Sequence, residues 1–150
     1  MSATADPAED RAKTARRLGL EPGQVVQELG YDDDCDEDFR SAVEEFLGSE
    51  LVDEDYDDVA DAVLLWFRDE DGDLTDSLVD ALEYLVEGGL VWLLTPKTGR
   101  DGHVEPSDIA DAAQTAGLSQ TSTLTVGKDW VASRLATPKA AAAAKPAKQR

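Results

Sequence analysis

Two short apolar runs, Ala62–Phe67 and Leu90–Leu94, interrupt a chain that is otherwise densely polar. An uninterrupted apolar run of this length is typical of a strand buried on both faces of a parallel sheet. A further strand is predicted at Gln24–Leu29, because the turn residues Glu21-Pro22-Gly23 lead into it. We therefore expect the two apolar runs to lie side by side in the middle of one sheet.

Helical periodicity fills the segments between these strands. Glu37–Leu47 places its apolar residues on one face, and Gly48 follows as a residue type that ends helices. A second helix is expected to begin after the capping residue Asp73, with Gly88-Gly89 ending it. Its apolar stripe comprises Leu74, Leu78, Leu82, Leu85 and Val86. A third helix is expected from Pro106 to the stop at Gly117.

Two β-like segments, Thr121–Val126 and Trp130–Leu135, follow the last helix and predict an antiparallel pair at one edge of the sheet. The alternation of strands and helices indicates an α/β fold, a single Rossmann-like domain. Its sheet is expected to be mostly parallel, with a C-terminal antiparallel hairpin and helices on both faces. We place this domain at residues 8–136, between a disordered N-terminus (1–7) and a disordered Ala/Lys/Pro tail (137–150).

The working edge of such a sheet is the one outside the carboxyl ends of its strands, where ligands bind. Here that edge carries three loops, Gly30–Asp34, Arg68–Asp71 and Pro96–His103. The third loop is where positive charge meets the lone histidine, which favours an anion contact with His103 as a proton carrier. The alternative is a basic loop that balances the acidic loops opposite. The candidate ligand-binding residues are Gly30, Asp32, Asp33, Asp69, Lys97, Arg100 and His103.

The charge of the chain narrows the range of partners. With 33 acidic and 14 basic residues the formal net charge is -19, so the folded body should repel nucleic acid and anionic membranes. The block from Glu28 to Asp73 is either a solvated acidic surface or a face for a basic protein partner. Basic residues cluster instead in the tail and in a first helix candidate that carries Arg11, Lys13, Arg16 and Arg17. Because the N-terminus has no apolar signal segment, we expect a cytoplasmic protein.

Catalytic chemistry finds little support in the sequence. Three acidic clusters at 32–36, 53–58 and 69–73 lack the glycine and glutamate spacing of a calcium loop, so caps and turns explain them better than a metal does. No carboxylate stands at a recognisable spacing from His103, and carboxylates around Cys35 should disfavour its thiolate. We therefore assign no catalytic residue, no metal and no cofactor, and we expect the tryptophans to be core residues. They are Trp66, Trp92 and Trp130.

One resemblance is to the second half of a class I methyltransferase fold. It rests on Asp61-Ala-Val-Leu-Leu-Trp66, the helix after it, and Leu85-Val-Glu-Gly-Gly-Leu-Val-Trp-Leu-Leu94. In that family an acidic residue begins strand four and a Gly-Gly turn leads into strand five, and the terminal hairpin resembles its last two strands. The resemblance implies an alternative function, an adenosyl-cofactor-dependent methyltransferase. Gly30, Asp32 and Asp33 would approach the cofactor, with Asp61 near strand four.

The chain also departs from that family. The glycine-rich cofactor loop is replaced by Glu28-Leu-Gly-Tyr-Asp-Asp-Asp34, in which one glycine remains. The segment between Gly30 and Asp61 is too short for all the elements that the family places there. A strand and a helix are expected to be missing, with Glu50–Asp53 as a short remnant strand.

A closer resemblance is to the short actinobacterial proteins of domain-of-unknown-function family 3052. It rests on Leu20-Glu-Pro-Gly-Gln-Val-Val26, the segment from Asp61 to Phe67, Leu94-Thr-Pro-Lys97, and Asp129-Trp-Val-Ala-Ser-Arg-Leu135. It covers most of the chain before the tail, implies a Rossmann-like domain and supplies no catalytic residues. The leading expectation is therefore a non-catalytic module that binds a protein partner or a small ligand.

Overall fold

The computed structural model describes residues 18–56 and 58–137. The first helix candidate, the N-terminus 1–7 and residues 138–150 of the tail lie outside this part of the chain. Among the described residues, none of the helices has both the length and the apolar character that crossing a membrane demands. The elements follow the order β1 (Val26–Leu29), α1 (Glu37–Leu47), β2 (Ala60–Trp66), a 3-10 turn (Asp69–Asp71), α2 (Leu74–Leu82), β3 (Leu85–Pro96), α3 (Pro106–Ala116), β4 (Ser119–Val126) and β5 (Trp130–Ala136).

Five strands form one sheet in the order β1-β2-β3-β5-β4. β1 pairs with β2 and β2 with β3 in parallel, whereas β5 is antiparallel to both β3 and β4. The two apolar runs lie side by side as expected, with Val63 opposite Val91 and Leu64 opposite Trp92. The α/β class is therefore confirmed, and the two β-like segments near the end of the chain pair as a hairpin.

Helices cover both faces of the sheet because successive strand residues point to opposite sides. α1 packs on one face, where Phe39 and Val43 join a cluster with Leu64 and Trp92. α2 and α3 pack on the other face, where Leu78 joins residues that alternate with those of the first cluster, including Val63, Leu65, Val91 and Leu93. Three caps are those that the sequence predicts, because Asp73 accepts from its helix and Gly48 and Gly117 adopt the left-handed conformation. Asp36, which the sequence analysis did not name as a cap, accepts from the start of α1.

The end of α2 is a correction to the sequence analysis. The helix stops at Leu82, and Leu85, Val86 and the Gly88-Gly89 pair belong to β3 instead. Leu85 pairs with Ala60, and the Ala60 amide donates to the Tyr84 carbonyl at 2.7 Å. The pairing with Ala60, which is distant in sequence, thus overrides the helical spacing by which Leu85 would have continued the apolar stripe of α2. The register shift in β2–β3 lies in this stretch, where Gly88 has φ 86°.

A loop lies at the outer edge of β1, around Val52. Of the short strand expected at Glu50–Asp53, the structure has one parallel bridge, between Val52 and Gln27. The Val52 amide donates to the Val26 carbonyl at 3.0 Å, and its carbonyl accepts from the Glu28 amide at 2.8 Å. The edge of β1 is therefore covered by a single residue and the loop around it.

Candidate functional site

The carboxyl ends of β1 and β2 meet at a buried arginine, Arg68, which follows β2 by two residues. Its Nη1 donates to the Gly30 carbonyl at 2.8 Å and to the Trp66 carbonyl at 3.4 Å. Its guanidinium carbon lies 5.3 Å from the centre of a Trp130 ring, a cation–π contact. Arg68 thus links the loop after β1, the end of β2 and the start of β5.

Two carboxylates complete this contact. Arg68 donates from Nε to Asp34 Oδ2 at 3.0 Å and also from Nη2 to Asp34 Oδ1, a two-pronged pairing. Its Nη1 lies 3.3 Å from Asp71 Oδ2. The hydrogen bonds from Arg68 hold the pKa of Asp34 below its ordinary value, and the Asp34 carbonyl accepts from Trp130 Nε1 at 3.1 Å. We call this group the Arg68 cluster: Arg68, Gly30, Asp34, Asp71 and Trp130.

Gly30 is a packing glycine. Its φ is 79°, a conformation that side chains with Cβ rarely adopt. A Cβ at this position would lie 2.3 Å from the carbonyl oxygen of Trp66. The turn after β1 therefore presses directly on the end of β2, and this contact explains the one glycine that remains in the loop.

A second buried ion pair lies on the α1 side of the same edge. The Glu28 carboxylate is nearly inaccessible to solvent and accepts from Arg40 Nε at 2.6 Å and Nη2 at 2.7 Å. It also accepts from Trp66 Nε1 at 2.8 Å. Arg40 extends outward over the Tyr31 ring, with 4.2 Å to its centre, and pairs with Glu37 at 2.8 Å. Both arginines of the acidic block are therefore neutralised within the fold.

The structure distributes the candidate residues among three depressions. Gly30 and Asp32 line a cavity of about 460 Å³ with Phe67, Arg68 and Tyr84. Asp69 lines a second cavity of about 350 Å³ between α2 and α3. Arg100 lines a third, of about 500 Å³, with Asp34, Pro96, Asp129 and Trp130. Asp33 is exposed. Binding at each of these residues stays a prediction.

The basic loop after β3 bonds mainly to its own surroundings. Lys97 Nζ donates to the Gly127 carbonyl at 3.4 Å, and Arg100 pairs with Asp129 at 3.2 Å. His103 Nδ1 lies 2.9 Å from the Pro96 carbonyl, and its Nε2 lies 3.5 Å from Glu105. Glu105, two positions along the chain, is therefore a carboxylate near the His103 ring that the sequence analysis did not name.

Asp61 lies at the opposite end of β2 from this edge. It is the second residue of the strand, and its Oδ2 accepts from the Val25 amide at 2.8 Å. The acidic residue that begins the strand therefore ties β2 to the entry of β1. It stands about 16 Å from the carboxyl edge, since a parallel strand rises about 3.3 Å per residue.

Three carboxylates of the acidic clusters, Asp36, Asp71 and Asp73, accept from backbone amides at the start of helical segments. Asp73 accepts from the Asp76 amide at 3.1 Å at the start of α2, and Asp71 accepts from the Arg68 amide at 2.9 Å. Within residues 18–56 and 58–137 the side chains form no group of three or more potential ligands that could hold a metal ion. The three tryptophans are core residues, as the sequence predicts.

Cys35 is buried beneath Arg68, with its Sγ 3.4 Å from Nη2. Burial is the main cause that raises the pKa of the thiol, to about 11, and the nearby carboxylate of Asp34 adds a smaller effect. The sequence analysis therefore predicted the right direction and named the minor cause.

Alkylation of Cys35 with iodoacetamide at pH 8 should be at least ~100-fold slower in the native protein than in guanidinium. A pKa of about 11 against an ordinary value of about 8.5 lowers the thiolate fraction by that factor. Mass spectrometry of timed samples measures both rates. Native alkylation within about tenfold of the unfolded rate would contradict a buried, protonated thiol.

The sequence analysis missed the Arg68 cluster. It placed Arg68 at the working edge but assigned it no contact, since its partner Asp34 lies 34 positions away. One signal was available, because an arginine that directly follows a buried strand within an acidic block needs a carboxylate near it. Its contact with Trp130 has no local signal at all.

Comparison with known sequences shows clear relatives. The family model described as "Protein of unknown function (DUF3052)" matches residues 15–139. Proteins from Mycobacterium tuberculosis and Mycobacterium bovis, both named "Uncharacterized protein", are 53% identical over 135 residues, which is 90% of this chain and 85% of theirs. These relatives share the chain almost end to end.

Comparison with solved structures shows the fold alone, because sequence identities are low. The pyocyanin biosynthetic protein PhzM matches with a TM-score of 0.62 and 12% identity over 85% of this chain and 54% of its own. The mitomycin 7-O-methyltransferase MmcR matches with a TM-score of 0.58 and 12% identity, over 87% of this chain and 53% of its own. This chain spans about half the length of these two. A SAM-dependent methyltransferase from Aquifex aeolicus matches with a TM-score of 0.51 and 14% identity, over 89% of this chain and 99% of its own.

Proposed function

This chain belongs to the family described as Protein of unknown function (DUF3052), and we propose that it is a non-catalytic binding module whose acidic surface receives a basic protein partner. The fold is Rossmann-like and resembles methyltransferases. The proposal rests on what occupies the edge where such folds bind their ligands, and on the surface beside that edge.

The observation that carries the proposal is the position of Arg68. Its guanidinium lies at the carboxyl ends of β1 and β2 and donates to Gly30, Asp34 and Asp71. Ligands of open α/β sheets bind in the crevice outside these strand ends. Here the chain fills part of that crevice with its own ion pairs, and the remaining glycine is committed to backbone packing. This arrangement favours a structural role for the edge over a catalytic one.

An acidic groove lies beside this edge, between α1 and the loop at 49–55. Its volume is about 440 Å³, and besides the Glu28–Arg40 pair it is lined by the carboxylates of Glu44, Glu50, Asp53, Glu54 and Asp55. Within the described part of the chain, no basic side chain lies within salt-bridge distance of these five carboxylates. Leu51 and the exposed ring of Tyr31 supply apolar surface in the same groove. A lysine or arginine of a partner would lay its stem on that surface and its charge among the carboxylates.

Affinity capture from the native cytosol tests the proposal. The wild-type chain should retain one specific partner at low salt and release it at high salt, because exposed charges are screened. Neutralising the groove with Glu50→Gln, Glu54→Gln and Asp55→Asn should abolish that retention. The retained protein, once purified, should carry a basic surface and bind with a salt-dependent affinity.

The matched control removes the same charge elsewhere. Glu83→Gln, Asp108→Asn and Asp111→Asn neutralise three exposed carboxylates on the opposite face, at the end of α2 and on α3. This variant should retain the partner as the wild type does. If both variants lose the partner equally, its retention depends on net charge and not on the groove, which contradicts the proposal. If no protein is enriched under either salt condition, the proposal is overturned.

One observation favours a methyltransferase as the second candidate. The cavity of about 460 Å³ beside Gly30 has an apolar wall of Leu29, Phe67 and Tyr84 and an acidic rim that includes Asp32. It lies at the strand ends of a fold shared with methyltransferases. Titration calorimetry with S-adenosylmethionine decides between the candidates. Saturable heat supports the enzyme, and no heat at about 1 mM ligand removes it.

A further inference from the structure

We propose that two copies of this chain associate through the outer edge of β4, each pairing Ser119–Val126 with the same strand of the other copy in antiparallel orientation. The two five-stranded sheets would then join into one continuous sheet. Such an interface is self-complementary about a two-fold axis, which is the common arrangement in homodimers.

β4 is the last strand of the sheet and pairs only with β5 among the described residues. Most of its side chains are exposed, and only Val126 is buried. An edge strand presents a row of outward-facing N–H and C=O groups that another strand can pair with. β4 spans eight residues, and after the register irregularity between Gln120 and Ser122 its regular stretch, up to Val126, has the usual strand length, so the row is long enough to hold a partner.

The opposite edge of the sheet, at β1, is protected against pairing with another strand, and the edge at β4 differs from it. On β1 the bridge to Val52 occupies the outward groups of Val26 and Glu28. The exposed carboxylates of Asp53, Glu54 and Asp55 follow directly and would repel an incoming acidic chain. Natural sheets protect their edges by coverage and by charge. Within residues 18–56 and 58–137, β1 has both kinds of protection, whereas β4 has neither a covering segment nor a charged side chain and carries one register irregularity, between Gln120 and Ser122.

The charge of the chain favours a second copy as the occupant. A formal net charge of -19 makes most faces of two copies repel each other. Leu118–Gly127 contains no ionisable side chain and no proline, although 31% of the chain is charged. The nearby Arg134 donates from Nη1 to Thr121 Oγ1 at 3.0 Å within the same hairpin. The edge of β4 is therefore a surface that two such acidic chains can share without placing carboxylates in contact.

We take the register whose two-fold axis passes through Thr123, in the regular stretch of β4. Rotation about a two-fold axis perpendicular to the sheet leaves each face of the sheet on its own side. Two residues that lie opposite each other across the interface must therefore point to the same face of the joined sheet. An axis through Thr123 satisfies this, because it places Thr123 opposite its own counterpart and Ser122 opposite Leu124. Directly opposed threonine pairs stabilise antiparallel strands, and directly opposed like charges destabilise them.

Thr123→Lys tests this register by setting two ammonium groups against each other. In sedimentation velocity the wild type should become a dimer, with twice the mass of 16.1 kDa, as its concentration is raised to about 0.5 mM. T123K should weaken dimerisation at least about fivefold. Thr115→Lys adds the same charge at an exposed position of α3 and should leave the dimer unchanged. Thr123→Val keeps a branched side chain without charge and should also dimerise, which guards against a variant that fails to fold.

Salt separates this proposal from the acidic partner surface. Added salt screens the repulsion between two acidic copies, so the dimer should strengthen, whereas the complex with a basic partner should weaken. A wild type that stays monomeric in both low and high salt overturns the proposal, as does equal dimerisation of T123K and T115K. Slow hydrogen exchange of the outward-facing β4 amides, those not bonded to β5, in a monomeric sample also overturns it, because the chain then covers its own edge.

Discussion

Gly30→Ala is expected to lower the free energy of unfolding by about 3–5 kcal/mol, a loss in the range of the most damaging single substitutions. The left-handed backbone at φ 79° contributes about 1–2 kcal/mol of that loss. The rest comes from the new Cβ, which would stand 2.3 Å from the Trp66 carbonyl oxygen and push the turn off the end of β2. Urea unfolding followed by tryptophan fluorescence measures the change.

Gly23→Ala is the matched control, because it separates backbone conformation from contact. Gly23 has φ 90°, and a Cβ there would meet no atom within 4 Å. Its substitution should cost about 1–2 kcal/mol, the conformational part alone. If both variants lose the same stability, Gly30 does not press on β2. Gly30 would then have to be explained by a ligand, as the methyltransferase alternative requires.

Much of the fold could be predicted from the sequence because its signals are local. A capping aspartate and a C-terminal glycine bracket α1, and the structure has the helix at Glu37–Leu47 as predicted. Proline at the first position and Gly117 after the last bracket α3 in the same way. The two apolar runs identify the central strands without any tertiary information, since only strands buried on both faces are apolar throughout.

The end of α2 could not be predicted, because two patterns coincide there. Leu82 and Leu85 are spaced as on a helix face, yet Leu85 pairs with Ala60 across the sheet. A hydrophobic residue at a given spacing satisfies either element, and the choice depends on a strand some 25 residues earlier. Periodicity alone has no access to that partner.

The candidate site was predicted at the level of the sheet edge but not at the level of contacts. The sequence places Gly30, Asp69 and Arg100 after three strand or helix boundaries, and all three lie beyond carboxyl ends of strands. Each loop then turns in its own direction, so the three residues line three separate cavities. The residue that joins the loops is Arg68, whose length lets it reach partners that no local pattern indicates.

The same reach explains why the acidic block needs its two arginines. Glu28 is inward-facing on β1, 6% exposed, and its neighbour in the core is the Trp66 ring. A carboxylate in such surroundings is tolerated only when it is paired and hydrogen-bonded. Arg40 supplies that pairing from α1, twelve residues away. Acidic residues therefore have two roles in this block: exposed carboxylates form its surface, and the buried carboxylate of Glu28 forms an ion pair with Arg40.

Arg40→Ala should consequently lower the free energy of unfolding by about 3–5 kcal/mol, because it leaves the buried Glu28 carboxylate without a counter-charge. The double substitution Glu28→Gln with Arg40→Met should recover most of that loss, since it removes both charges and keeps a donor–acceptor group beside Trp66 Nε1. Arg100→Ala removes an exposed pair with Asp129 and should cost under about 1 kcal/mol. Urea unfolding of the three variants at pH 7 provides the comparison. If Arg40→Ala costs no more than Arg100→Ala, water reaches Glu28 in the folded protein, and the α1 side of the edge is open instead of sealed.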